Sequence, residues 1–600
     1  MRVEKPDTPC AAVFIQPLCR LHQPPQRYLS RLKDSGCPSR IHEVPERLDA
    51  VEEGVAVAYA NAEELPKLNG AQTSNISDTQ EPFLIISSKA EVDIRTCVDV
   101  LRAHGSEGGG RSAAARGSMI DTLVDRCRRG YTANDWASEK LDSPQHVPDL
   151  ALRNESLRAI GGAIGTIQEA IDTICKASQD NGKGPSGPLS NVKRAFVAIR
   201  PPGHHCDKTT PSGWCFVNNA VIAGAYAHRV YNIGRVVLLD IDLHHGFGTQ
   251  RLVTQNTTNI GPRFFYGDLY DPKAWPCYAE DGEREALTQQ SISQSLRCIG
   301  MKKISLRTAE RSASDSTEAL FHEARAAITA TGTADDVLVI ISCGFGGSEH
   351  EYRDLSADKI DLPTDFYYNF THAACDFAKE FASGRLLSIL EGGYSDKALR
   401  SGTLAHVSAL ALDGANTPRS DWWSKSALND MKCLRSSVQP EGSMLPRAKE
   451  IMSCLRRAQT ETKQEGLSPV KIPRLSQQNE GINNAHKSVV QAGPGPPVSS
   501  RMGGKLTRAD SSTQQGAVQP SEPAVIPYVQ PKRPRSVGGN EAEGAAGKLP
   551  RLDKGKGRAD AVEVIVISSD EEDSDDRPSR KEFSKLQAQV ARLERVNFGG

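Results

Sequence analysis

A doubly wound α/β domain, with a parallel sheet and helices on both faces, is the fold the sequence predicts, and three observations predict it. Short apolar runs recur through the middle of the chain, helix-length stretches separate them, and polar loops rich in Gly, Pro, His and Asp follow several of the runs. The runs Ala195 to Ile199, Val236 to Leu239, Val337 to Ile341 and Leu386 to Leu390 are continuous rather than alternating. Continuous runs suit strands buried on both faces of a parallel sheet. Between them, Asn218 to Val230, Ser316 to Thr329 and Asp365 to Ala382 have helical character. The loops matter most, because open α/β sheets gather ligands beyond the carboxyl ends of their strands.

Only 38% of the 600 residues are hydrophobic, low for a chain folded throughout, and the deficit lies at the C-terminal end. Apolar periodicity fades from about Gly414, and Gly, Pro, Ser, Gln, Lys and Arg dominate through Gly493-Pro494-Gly495-Pro496-Pro497 to Arg580. Such a composition cannot bury a core. The expected organisation is an N-terminal extension over 1–40, one folded domain over 41–435 and a disordered regulatory tail over 436–600. Near the end, Phe583, Leu586, Val590 and Leu593 recur at spacings of three and four, the pattern of a short amphipathic helix.

Balanced charge, 73 basic against 74 acidic residues, points to neither a nucleic-acid site nor a membrane surface. No apolar run approaches the roughly 20 residues of a membrane helix, and the first 40 residues lack a secretory pattern. The 14 cysteines are scattered singly, which suits free thiols in a reducing compartment. A soluble intracellular protein is expected.

Three loops carry candidate chemistry. Arg200-Pro201-Pro202-Gly203-His204-His205 follows the first run; its prolines stiffen a turn that presents two adjacent histidines, either as a structural pair or for acid and base work. Asp240-Ile241-Asp242-Leu243-His244 closes the second run, and in an extended segment its alternate polar side chains share one face. A carboxylate and an imidazole two residues apart suit Zn2+ with open coordination, and the second carboxylate suits orientation of a neighbouring ligand. Glu391-Gly392-Gly393-Tyr394 follows the last run, where paired glycines allow close backbone approach and leave a tyrosine hydroxyl to polarise a carbonyl.

Taken with Ser212 to Asn219, Asp240 to Gln250 and Ser342 to Tyr352, these loops resemble the ordered motifs of zinc-dependent histone deacetylases, in detail the class II-like branch of fungi. The likeness runs from Pro45-Glu46-Arg47-Leu48 to Trp422-Trp423. It implies an arginase/deacetylase-type fold and hydrolysis of N6-acetyl-lysine amides on histones or other proteins. By that resemblance Asp242 and His244 bind Zn2+, His205 is the main general base and acid, and His204, held by Asp240, adds electrostatic support. Tyr394 would hydrogen-bond the tetrahedral oxyanion, while Gly213, Trp214 and Trp275 would line the channel for the lysine stem. A structural K+ and a chromatin corepressor complex belong to the same set of expectations, as does a nuclear location. An amidohydrolase acting on acetylated polyamines is a further reading of the same fold.

The sequence also departs from that pattern. Gly346 stands where the family has an aspartate that is the third protein ligand to zinc, and the flanking residues align without a gap. Weakened metal binding follows, unless Glu349, His350 or Glu351 reaches in from the same loop. Phe247 replaces the Asn or Asp that orients the second histidine of the pair, and the segment Pro148 to Glu155 lacks an expected glycine pattern. The rival reading is therefore a catalytically impaired relative that binds acylated lysine or acts as a scaffold.

The tail adds two features. Lys532, Arg533 and Arg535 form a basic cluster compatible with nuclear import, and Lys554 to Arg558 forms another. Val564, Ile565, Val566, Ile567, Ser568 and Ser569, followed by acidic residues, resemble a segment that adds as a strand to the small ubiquitin-like modifier.

Overall fold

The computed structural model describes residues 9–23, 42–68, 81–105, 118–130, 150–178, 187–254, 261–271, 274, 298–305, 313–331, 336–355, 360–412, 417–419, 421–435, 444–460 and 467–473. All belong to the unit Met1–Pro496. Trp275, the basic clusters, the Val564 to Ser569 segment and the Phe583 to Leu593 pattern lie outside the described residues.

The strands are β1 (Ala11–Ile15), β2 (Leu84–Ser87), β3 (Arg194–Ala198), β4 (Arg235–Asp240), β5 (Arg263–Tyr270), β6 (Cys298–Ser305), β7 (Val337–Cys343) and β8 (Leu386–Leu390). They form one sheet in the order β2-β1-β3-β8-β7-β4-β5-β6, and every pairing is parallel. All residues of β3, β4, β7 and β8 are buried, as the continuous apolar runs predict. One helical layer contains α1 (Arg47–Leu68), α7 (Ala313–Thr329), α8 (Thr364–Phe381), α9 (Asp396–Ala411) and α11 (Leu445–Thr460). The other contains α2 (Val98–His104), α3 (Met119–Arg129), α4 (Ser156–Ser178), α5 (Asn219–Tyr231) and α6 (Phe247–Thr254). The short α10 (Lys425–Asp430) follows α9.

Local sequence explains where several helices begin. Asn218 caps α5 by accepting from Val221 N at 3.0 Å, and Asn232 ends it in the left-handed region at φ 57°. Ser395 caps α9 by accepting from Ala398 N at 3.0 Å, which starts a helix two residues after Tyr394. Ser118 and Asp121 form a reciprocal capping box on α3.

Both expected domain limits need correction. The N-terminal extension placed at 1–40 contains β1, which sits inside the sheet between β2 and β3. The Cys19 and His22 carbonyls accept from Arg200 at the end of β3. At the other end, α11 lies in the part assigned to the tail from 436, packs against α1, and buries Leu445, Ile451 and Leu455. Beyond it, Val470 N donates to Ile85 O at 2.7 Å. The physical reason is that β1 is a five-residue apolar run whose partners are 72 or more residues away, so its pairing leaves no local signal.

The N-terminal part is tied to the sheet by buried charge. Glu43 accepts from Arg200 Nε at 2.7 Å and from Arg47 Nη1 at 3.0 Å, and all three side chains are buried. Burial opposes the Glu43 charge, but the two guanidinium groups outweigh it and hold the carboxyl at about 2. Removing the carboxylate would leave two buried cations without a counter-ion. Glu43→Gln is therefore expected to destabilise the domain by about 3–5 kcal/mol, read from urea unfolding midpoints. A midpoint within error of the parent would refute that role.

Three buried histidines add a pH dependence. Burial holds His22 and His104 down at about 4, with Arg200 adding to the effect on His22, and burial holds His406 at about 3. In the unfolded chain these groups and Glu43 bind protons more readily, so their stabilisation is complete above about pH 6.5. The histidine part is lost as pH falls from about 6.5 toward 4 and 3, and the Glu43 part from about 4.5 toward 2. Glu391, whose buried carboxyl is raised to about 7, acts in the opposite direction between pH 7 and 4.5, so the calorimetric check is a difference: the parent should lose more Tm below pH 6.5 than His406→Asn, and equal slopes contradict the assignment.

Candidate active site

Four adjacent strands, β3, β8, β7 and β4, deliver their C-terminal loops to one place. The loop after β3 brings His204 and His205, that after β4 brings Asp242 and His244, that after β7 brings Gly346, and that after β8 brings Tyr394. Asp240, the last residue of β4, lies beneath them. The structure thus gathers every described candidate residue that the sequence placed in the catalytic and metal sets.

Glu391 joins these loops. Its buried carboxylate accepts from Gly203 N at 2.7 Å and His204 N at 3.2 Å, and from Ser342 Oγ at 3.3 Å. Burial, with Asp240 and Asp242 nearby, raises this carboxyl to about 7 against the opposing pull of His204 and Gly203 N. The sequence motif contained Glu391, but only its contact across three strands gives it a positioning role. Arg47 is a second such residue: it donates to Gly393 O and Glu391 O, and its guanidinium stands 4.8 Å from the centre of the Tyr394 ring.

The histidine pair is asymmetric. His204 Nδ1 lies 3.0 Å from Asp240 Oδ2; burial would lower its pKa, but the carboxylate prevails and lifts it to about 10. His205 goes the other way, held well below its ordinary range by burial and by the neighbouring His204, His244 and His245. The two rings are tilted by 35°, with centroids 3.9 Å apart. On its other side His205 meets the Phe247 ring at 5.3 Å and 21°, and its hydrogen bond goes to the His245 backbone. An aromatic face thus occupies the place expected for an orienting Asn or Asp. At neutral pH His205 is neutral and beside a cationic His204, which suits proton acceptance.

Tyr394 is buried with its phenol raised well above its ordinary range, chiefly by burial, so it remains a protonated donor. Trp214 stands 4.9 Å from it edge-on and holds a left-handed backbone at φ 59°, following Gly213 at φ 50°. A non-glycine residue in that region signals a turn constrained by its surroundings. Trp214 is partly exposed, beside the buried Tyr394.

Asp242 and His244 face one another, with Asp242 Oδ1 3.0 Å from His244 Nδ1. Gly392 N donates to the other carboxylate oxygen at 2.9 Å. Burial opposes the Asp242 charge, but His244 and His204 hold its carboxyl well below the usual range. The backbone geometry at Gly346 bears directly on the missing ligand. A Cβ built there would lie 3.4 Å from Leu243 Cβ, 3.8 Å from Asp242 Oδ1 and 3.8 Å from His244 Cε1. A Cβ is therefore tolerated there, beside the two donors. At Gly344 and Gly392 the same test puts Cβ 1.7 Å and 2.4 Å from Asp242 Oδ2, so those glycines are demanded by packing.

The alternative donors of that loop are engaged elsewhere. Glu351 accepts from Tyr394 N at 2.6 Å and Ser395 N at 2.8 Å, and Glu349 accepts from Thr364 N at 3.3 Å. His350 lies 3.7 Å from Glu349, and its own carbonyl accepts from Ser395 Oγ. No group of three His, Cys, Asp or Glu side chains suited to a metal ion occurs among the described residues. Two donors do not fit a resident catalytic Zn2+, which takes three protein ligands and a water.

Residues 116–410 match the family model of the histone deacetylase domain. That stretch carries a histone deacetylase domain. The chain is 29% identical over 444 residues to histone deacetylase HOS3 of Saccharomyces cerevisiae, covering 68% of this chain and 57% of the yeast protein. It is 25% identical over 344 residues to type-2 histone deacetylase 2 of Dictyostelium discoideum, covering 55% of this chain and 18% of that one. Polyamine deacetylase HDAC10 of Danio rerio is 24% identical over 333 residues, 55% of this chain and 42% of the fish protein. A crystal structure of the HDA15 HD domain aligns with a TM-score of 0.42 at 21% identity, over 66% of this chain and 90% of that chain.

The eleven cysteines whose side chains are described are free thiols, and no helix among the described residues is long and apolar enough to cross a membrane. The ligand vacancy predicts a measurable difference: Gly346→Asp should bind Zn2+ at least tenfold more tightly than the parent by calorimetric titration. Equal affinities would show that Gly346 does not stand at a ligand position.

Proposed function

We propose that this chain acts on N6-acetyl-lysine side chains of histones or other proteins, as a lysine deacetylase whose turnover is slowed by Gly346 and Phe247. The observation that supports the reading is the placement of a neutral His205, an Asp240-held cationic His204 and a protonated Tyr394 around one buried point beside Trp214. His205 takes a proton from the attacking water. His204 offsets the charge that develops beside it, and the Tyr394 hydroxyl donates to the oxyanion. Trp214 packs along the apolar lysine stem, with Trp275 as the proposed second wall. Slow turnover follows from the incomplete Asp242–His244 pair and from Phe247, whose ring stacks on His205 but offers no carboxylate or amide to orient it.

Gly346 also favours a second reading, in which the pocket binds acetyl-lysine without hydrolysing it and the chain serves as a scaffold. We further propose a nuclear site of action, with Lys532, Arg533 and Arg535 as the import cluster. Val564 to Ser569 would be the contact for the small ubiquitin-like modifier, and a chromatin corepressor complex the assembly.

Binding of acetylated and unmodified histone-tail peptides, followed by fluorescence anisotropy, tests the reading together with product analysis by mass spectrometry. The expected result is preference for the acetylated peptide, with slow release of acetate that His205→Ala and Tyr394→Phe each reduce at least tenfold while binding persists. Acetylated-peptide binding with no product in the parent would favour the scaffold. No discrimination between the peptides would sink both readings, and selective cleavage of acetylated spermidine would shift the substrate to polyamines.

A further inference from the structure

We infer that a second cavity, walled by α1, α10 and the start of α11, is a binding site for an alkylammonium group, carried by a protein lysine side chain or by a free polyamine. It stands apart from the loops that hold His205 and Tyr394. Arg47 is the contact of α1 with the tyrosine loop, and the helical rise from Arg47 to Val57, where the cavity begins, is about 15 Å. The inference therefore does not depend on what the candidate active site takes.

Three observations carry it. First, the cavity has a volume of about 350 Å3, room for a small ligand or one long side chain. Val57, Asn61 and Glu64 follow one another at helical spacings of four and three, so a single face of α1 forms one wall. Trp422, Asp430 and Met431 form a second, and Met444 and Leu445 a third. Second, Asn61 is only 9% exposed, yet its side-chain amide has no hydrogen-bond partner among the described residues. An amide so far out of water is costly unless something pairs with it, and this one lines the cavity. Third, the charge of the lining is unbalanced. Arg419 is spent on Asp421 at 2.8 Å, while Glu64 and Asp430 meet no cation among the described residues.

The chemistry of the walls selects the occupant. A primary ammonium carries three N–H donors and no acceptor. The Asn61 amide oxygen and the Glu64 and Asp430 carboxylates are acceptors, and two of the three bring uncompensated negative charge. Trp422, 8% exposed and without an aromatic neighbour among the described residues, adds a ring to which a cation is attracted. Val57, Met431 and Leu445 supply apolar surface for an alkyl stem, as lysine stems use when the charged head stays among polar groups. An anion is repelled here, and a hydrated metal ion makes no use of the apolar walls. A quaternary ammonium lacks the N–H donors that the three acceptors need, and a single ring is a poor cage for it. Acylation of the amine removes its charge, so the site takes the free amine and rejects its acetylated form.

Calorimetric titration of the full chain with a blocked glycyl-lysyl-glycine peptide and with spermidine tests the proposal, beside the norleucine peptide, which keeps the stem and lacks the charge. Saturable binding of at least one amine at millimolar concentration or below is expected, with the norleucine peptide at least tenfold weaker. Spermidine at least tenfold tighter than the lysine peptide would make a free polyamine the ligand; a peptide that binds as well or better would make it a protein lysine. Glu64→Gln combined with Asp430→Asn should weaken binding at least tenfold, and Asn61→Leu at least threefold, with urea midpoints unchanged because neither carboxylate is in an ion pair among the described residues. If one of these variants fails to fold, the other decides. His205→Ala should leave amine binding as it is. Absence of saturable binding by either amine would overturn the proposal, as would equal binding of the norleucine peptide or full binding by the folded variants. Loss of binding in His205→Ala would place the amine in the candidate active site and overturn it as well. No acetylated peptide is present, so these outcomes stand apart from any failure of acetyl-lysine binding or hydrolysis.

Discussion

The Glu43 carboxylate, pinched between the guanidinium groups of Arg200 and Arg47, is the interaction on which the rest of the site depends. Arg200 begins the loop that carries the histidine pair, and Arg47 reaches from α1 to the Glu391 and Gly393 carbonyls of the tyrosine loop. Arg200 also gathers the Cys19 and His22 carbonyls, so the segment after β1 is drawn into the same knot. Two cations around one buried anion are tolerable because each guanidinium nitrogen of the pair donates to a carboxylate or a carbonyl. Loops that share such an anchor cannot move independently, which is how side chains from distant parts of the chain hold their positions.

Above that anchor the site is a balance of opposed charges. Asp240 keeps a proton on His204, and the cation so formed helps to keep His205 neutral 3.9 Å away. Paired groups pushed in opposite directions are what acid–base chemistry near neutral pH requires. Phe247 changes this balance without breaking it: stacking fixes the plane of the His205 ring, and the His245 backbone supplies its hydrogen bond. What is lost is a charged or amide partner that would stabilise the imidazolium during proton transfer.

Gly346 changes the site more deeply, because it removes a charge and leaves the surroundings intact. Asp242 and His244 remain turned toward each other, and the loop after β7 keeps its place through Ser348, Glu349 and Glu351 contacts to Phe345, Leu362 and the tyrosine loop. A fold whose strands bury their side chains on both faces does not need the metal to form, so loss of a ligand alters chemistry rather than architecture.

Sequence alone determined the central strands and the helices between them. β3, β4, β7 and β8 are continuous apolar runs whose burial on both faces selects for that composition, and their ends match within two residues. The residues of the candidate site were legible for a related reason: each follows one of those runs, where a parallel sheet places its loops. Tertiary structure alone decided the rest. That Ala11–Ile15 is an inner strand, that Leu445–Thr460 belongs to the domain, and that Glu43, Arg47 and Glu391 brace the site all depend on contacts between residues far apart in the chain, for which local sequence carries no signal. Gly346 needed both: sequence showed which residue stands there, and only the fold showed that a Cβ is tolerated, 3.8 Å from Asp242, because packing constrains Gly344 and Gly392 and spares that position.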